Sequence, residues 1–357
     1  MELTLDFATD MSNRNAAKRL NRIRRETNSI SPTTYRNTVE KEGAKIQKQI
    51  EDKCEETLRI SGFNAEGALP DNVIFMREEP EFVDDETLKK AAEKLNIKKF
   101  NSSDYESAAV NISVDDICVK RQTEMRPRNE ETEQPKRVNN SVIHVQNESG
   151  KYILNFPSLF NGLKLLIGFL MLNGLLRKQL VFFTDGAKEI HNGINKLFGF
   201  CNFKIILDWY HLRKKCREQL SMALKGSKIR NEFLEELLPC LWFGNVSGAI
   251  KRLENIDRNK VKDYSIITKL IEYFERVRDY IPNYAMRKEL GLRNSSNLGE
   301  KANDCVVAGR QKHNGMSWSN DGSVAFTAVS ALSCNGNLLN WVDTNDVNLE
   351  LVCDNVA

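Results

Sequence analysis

Residues 179–198 read QLVFFTDGAKEIHNGINKLF. QLVFFT is a continuous apolar run rather than an alternating one, the pattern of a strand buried on both faces. The run stops at Asp185-Gly186, and a helix is expected over 188–197. A buried strand handing over to a helix through an acidic turn belongs to α/β architecture. Taken alone, Asp185-Gly186-Ala187 also suits a turn former or helix N-cap, so its neighbours in the fold must decide its role.

Working outward, AVNISV (109–114) is a strand candidate ending at Asp115, followed by ICVKRQ and the solvated stretch TEMRPRNEETEQPKR (123–137). SVIHVQ (141–146) and KYILNF (151–156) predict two more strands joined by a turn at 147–150. FKIILD (203–208) predicts another strand, and 210–224 a long helix. Strand hairpins followed by helix–strand alternation imply a mixed sheet with helices on both faces. Residues 228–290 are helical throughout by their three-to-four spacing, in FLEELLPCLWF, SGAIKRLENI and IITKLIEYFERVRDYI. From 294 onward the reading gives one further helix and a Gly/Asn/Ser-rich tail. Ser295 or Ser296 caps that helix, which carries Glu300, Asn303 and Asp304 on one side.

Composition narrows the function classes. The chain has 357 residues, 41% hydrophobic and 28% charged, as an ordinary globular protein of two or three domains does. A net charge of +3 is too small to imply nucleic-acid binding, so local runs carry that question. The eight cysteines form no C-x-x-C pair and read as reduced thiols. No basic-then-apolar leader is visible at the N-terminus. The apolar stretch 159–176 approaches the length of a membrane span, but Asn161, Lys164, Asn173 and three glycines interrupt it, so it reads as a helix packed on a sheet. Neither G-x-x-x-x-G-K-[ST] nor G-x-S-x-G occurs, which removes the phosphate cradle of P-loop ATPases and the nucleophile elbow of α/β-hydrolases.

The basic charge is concentrated near the N-terminus. Between Ser12 and Lys53 eleven Lys/Arg face five Asp/Glu, an excess that points to a polyanion. SNRNAAKRLNRIRR predicts one helix and SPTTYRNTVEKEG a second, with ETNSI as the turn and Pro32 at a first helical position. That is helix-turn-helix grammar; a solvated helical hairpin would read the same way. Thr33, Thr34, Arg36 and Asn37 would meet base edges, and Arg19, Arg22, Arg24 and Arg25 phosphates.

The order strand–Asp, strand–Asp-Gly-Ala, ILDWYHL, then a distant Glu helix ahead of RQKHNGMSW resembles the bacterial insertion-sequence transposases of the DDE class, over about residues 7–341. The resemblance implies an RNase-H-like mixed sheet with flanking helices, an all-α insertion and an N-terminal helix-turn-helix region. The expected division is 1–60 DNA-binding region, 61–107 acidic connector with a short helix near 86–95, 108–225 first part of the catalytic core, 226–292 helical insertion, 293–342 last core helix, and 343–357 tail. Carried onto this sequence, the catalytic and metal-binding set falls on Asp115, Asp185 and Glu300. Asp116 is the rival for the first position; Asp115 is preferred because it directly follows the strand and precedes Val119 by four residues. Asp208 and His211 are accessory candidates, His211 having an ordinary packed role as its alternative.

Carboxylates without thiolate partners favour hard cations, so the expected cofactor is a pair of Mg²⁺ or Mn²⁺ ions, roughly 3.5–4 Å apart in such sites. The implied reaction is cleavage at transposon ends and transfer of the 3′-hydroxyl into target DNA. Arg310, Lys312 and His313 follow the Glu300 helix and are expected to meet DNA backbone. Trp318 is assigned either to base stacking or to the core, and Trp242 to contact with flanking DNA. Implied partners are double-stranded DNA and further copies of the chain on paired ends, with no membrane, in the cytoplasm at the nucleoid. An RNase-H-like nuclease without strand transfer, and a non-catalytic helix-turn-helix protein descended from a transposase, remain open alternatives.

Overall fold

The computed structural model describes residues 1–27, 29–68, 109–122, 136–312 and 316–352. The helix expected at 86–95, the charged stretch 123–135 and His313 lie outside the described residues.

The chain opens with α1 (Glu2–Asp10), α2 (Asn13–Arg24) and α3 (Pro32–Ile60). Ser12 and Ser31 accept backbone N–H groups at the starts of α2 and α3, as their positions ahead of the helices require. Asn21 ties the intervening turn, bonding Ile30 N, Ile30 O and Ser29 Oγ at 2.9 Å each. The second helix differs from expectation in length. Instead of a short recognition helix, α3 runs for 29 residues, because Ile46, Ile50, Cys54 and Leu58 continue the buried stripe beyond Gly43.

The strands are β1 (Ala109–Lys120), β2 (Arg137–Asn147), β3 (Gly150–Phe156), β4 (Gln179–Thr184) and β5 (Phe203–Leu207). They form one mixed sheet in the order β3-β2-β1-β4-β5. The hairpin strands pair antiparallel with β1, while β1, β4 and β5 run parallel. β1 does not stop at Asp115 but pairs with β2 through Lys120, so both candidate aspartates lie within a strand.

Helix α4 (Leu159–Leu172) follows β3, and α5 (Lys188–Phe198) connects β4 to β5. After β5, α6 (Trp209–Ala223) leads to α7 (Ser227–Trp242), α8 (Val246–Glu254), α9 (Tyr264–Arg276) and α10 (Tyr284–Glu289). The chain returns to the sheet as α11 (Asn297–Asn303), passes through a π-helical turn (Asp304–Ala308) and ends that shaft as α12 (Gly309–Gln311).

Alternation along β4 assigns its neighbours to two cores. Leu180 and Phe182 join the cluster built with α3 and α4, whereas Val181 and Phe183 join that of α6 to α10. A strand between two cores is apolar at successive central positions, which is why Leu180 to Phe183 do not alternate. No helix among the described residues is long and apolar enough to cross a membrane.

The expected tail after residue 311 contains α13 (Asn320–Cys334) and α14 (Leu338–Thr344). Serine, threonine, alanine and glycine give α13 its loop-like composition, yet ten of its residues are buried. Small side chains let α3 approach closely: a Cβ on Gly43 would lie 2.1 Å from the carbonyl oxygen of Ala325. Likewise α4 crosses α3 where a Cβ on Gly168 would meet Cys54 O at 2.3 Å. The N-terminal helices are thus built into the core of the sheet domain. Asn335 closes the β3 edge by accepting from Ile153 N at 2.8 Å and donating to its carbonyl at 2.9 Å.

Gly43→Ala is expected to cost about 3 kcal/mol, since backbone rather than a mobile side chain blocks the added methyl. Urea unfolding measures this; an unchanged midpoint would mean that α3 and α13 part freely.

Candidate active site

The parallel register of β1 and β4 pairs Ser113 with Phe183. Continued by two residues, it sets Asp115 level with Asp185, at the point where β4 has ended and its turn begins. Gly186 takes φ +89°, which favours glycine, and Asp185 Oδ1 accepts the Ala187 N–H at 2.9 Å. The turn-forming reading of Asp185 is therefore realised, while its carboxylate stays exposed. Beneath the turn, Thr184 Oγ1 and His191 Nε2 lie 2.7 Å apart. Burial pushes His191 down to about 4, so it supports the turn as a neutral ring at pH 7.

Helix α11 lies on the Asp115 side of β1. Gly299 makes this possible, because a Cβ there would sit 2.6 Å from Ser113 Cβ. Asn303, one turn after Glu300, donates from Nδ2 to Asp115 Oδ2. Glu300 itself turns to the first turn of α6, where its Oε1 lies 3.1 Å from His211 Nε2.

Asp208 fixes this arrangement from below. It is 0% exposed, caps α6 by accepting His211 N at 3.0 Å, and accepts both Ser296 N and, at 2.8 Å, Ser296 Oγ. One carboxylate thus joins the helix bearing His211 to the segment that starts the Glu300 helix. These bonds give Asp208 a positioning role. Asp116 falls on the other side of β1 and accepts from Ser141 Oγ. Burial raises its carboxyl above the usual range, Ser141 opposes that shift, and the charges of Asp185 and Glu189 add to it.

Asp115 carries the electrostatic tension. Burial, then the charge of Asp185, pushes its carboxyl up to about 6, with His211 pulling the other way. Asp115 is thus the carboxylate whose negative charge its surroundings tolerate least, and a cation placed beside it would relieve that cost. As the side chains stand, no three His, Cys, Asp or Glu groups among the described residues converge closely enough to hold a metal, Glu300 being engaged with His211.

The expected DNA-contacting residues divide. Arg19, Arg22 and Arg25 are exposed, and Lys18, Arg19 and Arg22 line an open groove with Met11, Asn15 and Ile23. Arg19 also lies over the Phe7 ring at 5.1 Å. Thr34 and Arg36 are exposed, but the Thr34 hydroxyl is bonded to Ser31 at 2.8 Å and Arg36 lies 3.7 Å from Glu40.

Arg310 requires correction. It is 4% exposed, donates to Asn13 Oδ1 at 3.0 Å and lies over Trp318 and Phe326 at 5.1 and 5.3 Å. It stitches the Glu300 shaft to the N-terminal helices and cannot reach a DNA backbone. Trp318 is core, donating to Gln311 O at 3.2 Å, while Lys312 is exposed. Trp242 is half-buried in an aromatic group with Trp209 and Tyr284, at 4.8 and 5.8 Å between ring centres.

Sequence reasoning missed Ser296 as the partner of Asp208 and Gly299 as the contact point on β1. Only the adjacency of Gly299 to Glu300 hinted at the second.

No protein-family model and no curated protein is similar to the chain. Among solved structures, the Drosophila P element transposase strand transfer complex is similar at 10% identity and a TM-score of 0.24, covering 83% of this chain and 81% of that one. A likeness that slight assigns neither fold nor activity, and the reading of the site rests on its own geometry.

The raised Asp115 value has a thermodynamic consequence. The native state holds this proton more tightly than an unfolded aspartate near 3.8, so ionisation above about pH 6 lowers native stability and the penalty fades as pH falls toward 4. Asp115→Asn is therefore expected to stabilise the protein in EDTA at pH 8 by about 1–2 kcal/mol, by about half as much at pH 5 and by almost nothing at pH 3.5. Urea midpoints at the three pH values check this; a pH-independent difference would remove charge repulsion as the cause.

Proposed function

We propose that this chain is a DDE-type transposase, cutting DNA at transposon ends with Mg²⁺ or Mn²⁺ and joining the 3′-hydroxyl to target DNA. The observation that carries the reading is that the parallel register of β1 and β4 leads Asp115, within β1, level with Asp185 just past the end of β4, with the Glu300 helix bonded to Asp115 through Asn303. The five-stranded mixed sheet, helix-covered and interrupted by the all-α segment before Glu300, is compatible with the RNase-H-like scaffold that this chemistry implies.

Asp115 and Asp185 would hold the cations, with Glu300 as the further carboxylate. Such ions would supply activation of the attacking water or 3′-hydroxyl and stabilisation of the leaving oxygen. His211 orients the Glu300 carboxylate, and Asp208 keeps His211 in place. Asn303 holds the Asp115 carboxylate through Oδ2 and so fixes its orientation. The exposed basic face of α2, from Arg14 through Arg25, supplies phosphate contacts that position DNA without reading its sequence. Further copies of the chain on paired ends complete the assembly in this reading.

The test is incubation with labelled DNA carrying the element's ends, in Mg²⁺ or Mn²⁺. Asp115→Asn, Asp185→Asn and Glu300→Gln are each expected to lower cleavage and joining at least about a thousandfold while DNA binding persists. Asp116→Asn is expected to stay within a few-fold of wild type. Cleavage without joined product would identify a nuclease, binding without cleavage under either metal a non-catalytic DNA-binding protein, and cleavage surviving Asp185→Asn a different site.

A further inference from the structure

Beside Asp185, α6 and α9 bring two cations onto one aromatic ring, with no ion-pair partner for either among the described residues. Tyr273 on α9 is 7% exposed and presses on the catalytic turn, so that a Cβ on Gly186 would lie 2.8 Å from its hydroxyl oxygen. That hydroxyl is buried and has no hydrogen-bond partner among the described residues. Over the same ring lie Lys215 Nζ, from α6, at 4.5 Å, and the Arg276 guanidinium, from α9, at 5.3 Å. Arg276 also donates to Gly186 O at 3.2 Å. Neither cation has a carboxylate partner among the described residues. Lys215 follows His211 by one helical turn, on the side of α6 that meets Glu300.

Each cation lies against the same aromatic ring without a carboxylate of its own, and the ring quadrupole offsets only part of the charge it carries. The other turns of α6 and α9 offered ample room to separate them. The arrangement suits an anion that presents several oxygens to a guanidinium fork and an ammonium together, which describes a phosphodiester better than a lone carboxylate.

We infer that Lys215 and Arg276, set in place by the Tyr273 ring, form a clamp that seats one backbone phosphate of the bound DNA strand beside Asp185. This rests on the DNA-processing reading above. Because Arg276 is bonded to the carbonyl of Gly186, the clamp and the aspartate keep one spacing, so a strand gripped by the clamp enters the carboxylate site in a set register. Lys215 and Arg276 are positioning residues, and Tyr273 acts through its ring rather than its hydroxyl.

The experiment measures affinity for a labelled generic DNA duplex in EDTA across a range of NaCl concentrations. Lys215→Gln and Arg276→Gln are each expected to reduce the slope of log K against log salt by about 1, and the double variant by about 2. Tyr273→Phe keeps the wild-type slope, and Lys269→Gln, an exposed control on the same helix, does too. Circular dichroism and the urea midpoint verify that each variant is folded. A double variant that is folded and retains the wild-type slope overturns the clamp, as does a Lys269→Gln loss equal to that of Arg276→Gln. Wild type that binds through the clamp yet never cuts in Mg²⁺ or Mn²⁺ overturns the transposase reading and leaves the clamp standing. Cutting with unchanged clamp variants does the reverse.

Discussion

The burial of β4 on both faces is the constraint from which the site follows. Phe182 packs into one core and Phe183 into the other, so no polar side chain can stand along the strand without losing its water. Polar chemistry is displaced to the strand's carboxyl end, where Asp185 emerges as the apolar run stops. The two cores also explain the chain order. Helices on one face come from both ends of the sequence and, as α4 and α5, from between the strands, whereas the other face is covered by the segment between β5 and the Glu300 helix. That insertion separates Glu300 from the aspartates by more than a hundred residues, and Asp208 recovers the proximity by bonding both helix starts.

Much of this was legible in the amino-acid order. The β3, β4, α5 and α6 regions were marked by apolar runs and turn residues, and the structure follows them to within a residue or two. Asp115 and Asp185 stood out because each followed an apolar run that did not explain it. What was illegible has physical causes. Helix α13 is buried nearly all round and built from small residues, so it lacks the polar face that gives a helix its period, and its Asn-Gly-Ser content mimics a loop. Residues of α3 past Gly43 carry charges on their outer face that masked the stripe beneath. Arg310 looked like a surface cation because its partners, Asn13 and two aromatic rings, are supplied by distant or later parts of the chain.

The site stores its tension in Asp115 and distributes its support among neutral or satisfied groups. His191 is held neutral under the turn, and Asp208 is filled with donors. Asp116 is tied to Ser141. His191 and Asp208 behave as scaffold, leaving Asp115 as the group whose charge is least compensated. A protein stabilised for its own sake would not leave a half-buried carboxylate in that state, a pattern associated with sites kept for function at some expense of stability.

The π-helical turn between α11 and α12 adds a mechanical property. An α-helix advances about 100° per residue, so a turn holding one extra residue offsets everything after it by that angle. Upstream of the offset, Asn303 bonds Asp115 of β1 and Glu300 reaches His211 of α6. Downstream, Gln311 turns inward to a buried group with Ser323, Thr327 and, through them, Asn140 of β2. The helix is therefore a shaft with two keyed ends of different phase, one locked in the core and the other bonded to β1 and α6. Because the wide turn fixes the phase between them, rotating either end would strain the bonds of the other.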